Sequence, residues 1–176
     1  MKIVISQPMY FPWVGMFEQI RLANIYVYYD DVQFSKGSFT NRVQIKTNSK
    51  EKFKWLTVPL ENFRMGTKIN EIKINNKKNW RDLHRKLLCQ WYNNSPYKME
   101  MLEIFDNVID NEFESISELS KKSIDVVCNY FNLKENKKFL LSSEIPIEGK
   151  SSQRVLDIVK YLKGTEYITG LGALKY

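Results

Sequence analysis

Residues 1–34 read MKIVISQPMYFPWVGMFEQIRLANIYVYYDDVQF, and their order decides the fold. Ile3 to Ile5 make a short apolar run that Ser6, Gln7 and Pro8 end, the pattern of a buried strand. Phe17, Ile20 and Ala23 then give one face of a helix that starts near Trp13, just after Pro12. Proline suits a first helical turn, where its missing N–H would have no partner anyway. Ile25 to Tyr29 is strongly β-prone and runs into Asp30 and Asp31. Strand, helix and strand in succession spell a βαβ unit, which predicts a parallel pair joined by a right-handed crossover.

Working outward, the middle of the chain changes character. Val43–Lys46, Trp55–Val58 and Glu71–Ile74 cluster β-branched residues with no helix between them, so a β-rich insertion is expected over about 40–75. Helices follow. Trp80, Leu83, His84, Leu87, Leu88, Trp91 and Tyr92 recur at helical spacing, with Asn79 as the N-cap and Asn93–Pro96 as the stop. Phe113, Ile116, Ser120, Ile124, Val127 and Phe131 mark a second long helix, so 80–131 reads as a helical segment. Phe139–Leu141 is a strand, Val155, Ile158, Val159 and Leu162 stripe a third helix, and Tyr167–Thr169 is a last strand ending at Gly170 and Gly172. The fold class is therefore α/β: a small, mainly parallel sheet started by the N-terminal βαβ unit, with a β-rich insertion and a helical segment.

Composition narrows the function. At 176 residues the chain is one domain with room for a sizeable core, and 43% hydrophobic residues argue against disorder. No apolar run is long enough to span a membrane and no signal-peptide pattern opens the chain. Cys89 and Cys128 fall inside helical patterns without metal-ligand spacing, which reads as two reduced thiols in a cytoplasmic protein. The net charge of +7 favours anionic partners, yet the lysines alternate with carboxylates in KTNSKEKFK and NLKENKK. That is a solvated surface rather than a nucleic-acid face.

In open α/β sheets, ligands lie beyond the carboxyl ends of the strands. Three such ends carry unusual residues here: QPMYFPW, DDVQFSKGSFTNR and TGLGALKY. They predict a shared pocket holding Gln7, Asp31 and Gly170, with Gly172 beside it. Tyr10, Phe11 and Trp13 either offer flat faces for a base or sugar ring or seal the top of the core. Asp30 and Asp31 are adjacent on an extended segment, so at most one faces the pocket; an Asx turn is the plainer alternative. Two carboxylates supply too few oxygens for a metal site. Gln33 and Asn41 lie in the same segment. Arg42 and Lys46, with Lys150, suit phosphate binding, against surface ion pairing as the alternative. His84, the one histidine, is either a core residue or a general base. No nucleophile elbow, Walker loop or dinucleotide fingerprint is present.

At these same residues the chain resembles the WbqC-like family of bacterial polysaccharide gene clusters. The resemblance rests on ISQPMYFPWVGMFEQI at 5–20, YDDVQFSKGSFTNRVQIK at 29–46, WLTVPL at 55–60, WRDLHRKLLCQWY at 80–92 and YITGLGALKY at 167–176. It spans essentially the whole chain, so residues 1–176 form a single domain of that kind. The family normally continues beyond the final tyrosine, and truncation at the C-terminus is an expectation that follows. The resemblance implies a role in O-antigen biosynthesis: transfer of an acyl or aminoacyl (glycyl-type) group to the amine of a nucleotide-linked amino sugar. It implies no intrinsic cofactor, an activated donor such as a thioester, and a sugar nucleotide and an acyl carrier protein as partners. His84 would then take the proton, with Asp31 or Asp30 positioning the amine or sugar hydroxyls and Gly170 and Gly172 lending an oxyanion amide. The rival is a non-catalytic module that binds a sugar nucleotide or an acyl carrier. A third reading follows from a weaker similarity to nucleotidyltransferases, although Trp13 and Met16 replace the two histidines of their H-x-G-H motif.

Overall fold

The computed structural model describes residues 1–170. Its centre is a four-stranded sheet in the order β5-β2-β1-β6, with β1 at Lys2–Ser6, β2 at Ile25–Tyr28, β5 at Lys138–Leu141 and β6 at Glu166–Tyr167. Every neighbouring pair is parallel. The N-terminal βαβ unit is as expected, with helix α1 at Val14–Leu22 between β1 and β2. Alternation along the central strands sends their side chains to two different cores. Val4, Tyr26 and Tyr28 meet Met16 and Ile20 of α1 and Ile124 and Cys128 of α4 (Ile116–Tyr130). Ile3, Ile5, Ile25 and Val27 meet Ile158 and Val159 of α5 (Ser151–Tyr161) on the opposite face. Gly164, just past α5, comes so close to Ile3 that a Cβ there would lie 2.5 Å from the Ile3 side chain. The turn needs a glycine to let the chain return to the sheet edge.

A third core joins the helical segment to the insertion. An antiparallel hairpin of β3 (Arg42–Lys46) and β4 (Phe53–Thr57) packs Ile45 and Leu56 with Trp80 and Leu88 of α2 (Trp80–Trp91). Leu102 and Phe105 of α3 (Lys98–Ile109) and Ile116 and Leu119 of α4 complete it. Helix α4 therefore serves two cores, its first half the hairpin side and its second half the sheet. Its start is fixed by a capping box: Glu118 N–H donates to Ser115 Oγ, and Ser115 N–H donates to the Glu118 carboxylate.

Two expectations need correction. Glu71–Ile74 is not a strand. Ile69–Glu71 is a short 3-10 turn, and the following residues make single bridges, Ile74 to Leu60 and Lys73 to Ser115. Ile69 and Ile72 are both buried, and a spacing of three places them on one side of a turn, which a reading from β-branched content does not show. Helix α3 was not distinguished within the helical segment, and the helix read from Phe113 starts instead at Ile116.

Candidate functional site

The carboxyl ends of β1, β2 and β6 lie on one edge of the sheet, since the three strands are adjacent and parallel. Gln7, Asp30 and Gly170 thus leave from the same edge; Gly172 lies outside the described residues. The aspartates there are occupied by the protein itself. Arg154 of α5 grips Asp31 through both terminal nitrogens, at 3.0 and 2.6 Å, while its Nε donates to the Ile147 carbonyl at 3.0 Å. Both side chains of this pair are largely buried, at 8% and 13% exposure. Burial opposes ionisation of Asp31, but the hydrogen bonds from Arg154 and Ser142 outweigh it and hold the carboxyl below its ordinary range. Asp30 accepts from the Ser143 N–H at 3.1 Å and the Ser143 hydroxyl at 2.9 Å. Its own N–H donates to Ser142 Oγ at 3.2 Å. The two aspartates therefore bind the end of β2 to the end of β5 and to α5. In this geometry they act as a structural clasp. Arg154, Ser142 and Ser143 escaped the sequence reading because they lie more than a hundred residues away.

His84 lies in the interior. It is 2% exposed, its Nε2 faces the Thr57 carbonyl at 3.3 Å and its Nδ1 faces the Tyr10 hydroxyl at 3.1 Å. A neutral ring satisfies both, donating from Nε2 and accepting the tyrosine proton at Nδ1. Burial lowers its pKa to about 4, against a smaller raising effect of the Thr57 bond. Trp80 packs edge-on against the ring at 5.3 Å. Neither nitrogen is free to take a proton from a substrate. Tyr10, weighed as a stacking face or a seal of the core, is fully buried with its hydroxyl committed to His84, and burial raises its pKa.

The other expected residues are dispersed. Asn41 is buried and donates its amide to the Val58 carbonyl at 3.0 Å. Arg42 stacks on Trp55, its guanidinium carbon 4.0 Å from the ring centre, and donates to the Gly37 carbonyl. Gln33 is exposed and bridges Lys68 through its backbone. Lys150 is exposed at the start of α5, and Trp13 is 59% exposed at the start of α1, its ring lying over Gly15. Gln7 and Gly170 are half-buried at the sheet edge.

The large concavity lies elsewhere. A cleft of about 930 Å³ opens between α1, α3, the end of α4 and the inner face of the hairpin. Val14 and Phe17, Met101, Ile104 and Phe105, Val127, and Val43, Ile45 and Leu56 make its walls. Tyr97, Tyr130 and Phe131 stand well exposed at its mouth. Such a volume sits at the upper end of the ligand-site range. Its polar groups are few: Glu18, bound to Arg21 at 2.7 Å, and Glu100, which has no ion pair among the described residues. Phe11 helps to line it from a left-handed backbone, φ 45°, a conformation that costs energy for a bulky residue. Ser123 accepts its N–H at 3.0 Å and its ring stacks on Phe105 at 5.6 Å, and these contacts hold the strained turn.

A smaller, polar pocket of about 250 Å³ adjoins at Tyr92, which lines both. Lys46 and Asn48 of the hairpin side and Gln90–Ser95 at the end of α2 form it. Among the expected binding residues described, Phe11 lines the cleft and Lys46 the smaller pocket. The cleft residues escaped notice because each carries an ordinary core pattern, and only packing leaves them unfilled.

A parallel α/β sheet with a helical segment and hairpin, and an apolar cleft between them, define an α/β protein built around a ligand-sized apolar site. The chain belongs to the WbqC-like protein family, whose model matches residues 7–176. It is similar to an uncharacterized protein of Mycobacterium tuberculosis, Rv1507c, with 25% identity over 177 residues, covering 99% of this chain and 74% of the relative. No solved structure matches. Among the described residues no group of three or more potential ligands is placed to hold a metal, and no helix is long and apolar enough to cross a membrane.

Proposed function

We propose that the protein transfers an acyl group to the amine of a nucleotide-linked amino sugar in surface-polysaccharide biosynthesis, holding the acyl chain in the apolar cleft. The observation that carries this reading is the wall of the cleft, which is apolar almost throughout over about 930 Å³. A glycyl group has too little apolar surface to use such a site. An acyl chain gains about 0.8 kcal/mol for each methylene it buries, so the cleft favours acyl over aminoacyl donors. The amine nitrogen attacks the thioester carbonyl, the C–N bond forms as the C–S bond breaks, and the thiol leaves. Glu100 takes the proton from the attacking nitrogen and returns it to the departing sulfur.

Incubation with lauroyl-coenzyme A and an amino-sugar nucleotide tests this by mass. A product heavier by one lauroyl group is expected, with one equivalent of free thiol. The sealed His84 favours a second reading, in which the protein binds the acyl thioester without turning it over and presents it to a partner enzyme. Tight binding of the thioester with no product would select it.

A further inference from the structure

The polar pocket beside the cleft has its own chemistry. Its wall carries the carboxamides of Asn48, Gln90, Asn93 and Asn94, one cation, Lys46, and Trp91. The Trp91 indole N–H is buried and meets no acceptor among the described residues. A buried donor without a partner is uncommon in a folded protein. The carboxamides offer both donors and acceptors, which suits a ligand that itself carries amides. Lys46 is exposed, while its backbone N–H donates to the Tyr92 hydroxyl at 3.0 Å. That bond fixes Tyr92 at the boundary between the two compartments. The apolar cleft and the amide-lined pocket with its cation thus share one tyrosine.

We propose that this pocket is the site of the phosphopantetheine arm of an acyl thioester, and this rests on the acyl-cleft reading above. The acyl chain lies in the cleft and the thioester at Tyr92. The amides and hydroxyl of the pantetheine meet the carboxamides and the Trp91 N–H, and Lys46 meets the phosphate. Coenzyme A and acyl carrier proteins share this arm, so the chemistry of the pocket admits either source.

Calorimetric titration with lauroyl-phosphopantetheine and with lauric acid separates the two sites. The thioester is expected to bind at least about tenfold more tightly than the fatty acid, a step within reach of one or two charge-assisted hydrogen bonds. Lys46→Ala and Trp91→Phe should each weaken the thioester severalfold and leave lauric acid within about twofold. Lys46 is exposed, so its removal spares the fold even where Trp91→Phe perturbs packing. In the wild type the Trp91 indole N–H resonance should move when the thioester is added. Equal binding of the two probes, or no effect of Lys46→Ala, overturns the pocket assignment while the acyl cleft stands. Failure of both probes to bind overturns the two together. Titration with lauroyl-coenzyme A and with a lauroyl carrier protein then identifies the source, whichever shows the same Lys46 dependence.

Discussion

Asp31 and Arg154, 123 positions apart in sequence, form a two-pronged ion pair that ties the end of β2 to helix α5. The pair is buried, so removing one partner leaves a charge without compensation. Asp31→Asn should lower unfolding free energy by roughly 3 kcal/mol in urea titrations at neutral pH. The carboxyl is held below its ordinary range when folded, so its contribution is present above the unfolded pKa and is lost as pH falls through the folded one. The gap between variant and wild type should therefore narrow in acid. A gap that persists unchanged at low pH would assign the loss to packing instead.

His84 also makes the fold less stable in acid, through the cost of charging a buried ring. Its pKa is about 4 in the fold against about 6.5 in the unfolded chain, so the unfolded state binds more protons between those values. Stability should fall by roughly 3 kcal/mol as pH drops through that window, and His84→Gln should remove much of the slope. Tyr10→Phe would strip the partner from Nδ1 and cost about 1–3 kcal/mol. If acyl transfer by the folded fraction also collapsed in His84→Gln, the residue would belong to the chemistry after all.

The fold was readable in the first thirty-four residues because strand, helix and strand announce themselves by local period. The hairpin and α2 were readable for the same reason. The site was not. Asp30 and Asp31 look like a polar strand end, and nothing local shows that Ser142, Ser143 and Arg154 close over them. His84 sits on an apolar stripe that left core and catalysis both open, and its burial with two bonded nitrogens depends on Tyr10 and Thr57, which no local pattern brings to it. The cleft is the converse. Val43, Ile104 and Val127 look like core residues, and a void between them is a property of three-dimensional packing that spacing does not encode.

Filling the cleft is a direct way to separate binding from folding. Ile104 lines it and is only partly buried, so Ile104→Trp has room to project into the void. Binding of lauroyl-coenzyme A should weaken by about tenfold or more, with thermal stability unchanged or raised. An unchanged affinity would remove the cleft from acyl binding.

Glu100→Gln tests the proton path. The side chain keeps its shape and loses its basicity, so acyl transfer should slow by ~10²–10⁴ while binding of the donor is retained. Equal turnover in the variant would give the proton to solvent.

The location of a bound acyl chain tests the central claim most directly. A crystal structure with lauroyl-phosphopantetheine should show the chain between α1, α3 and the hairpin, against Phe105 and Ile104, with the thioester beside Tyr92. Density for the ligand at the sheet edge near Asp31 and Gly170, with the cleft empty, would contradict it.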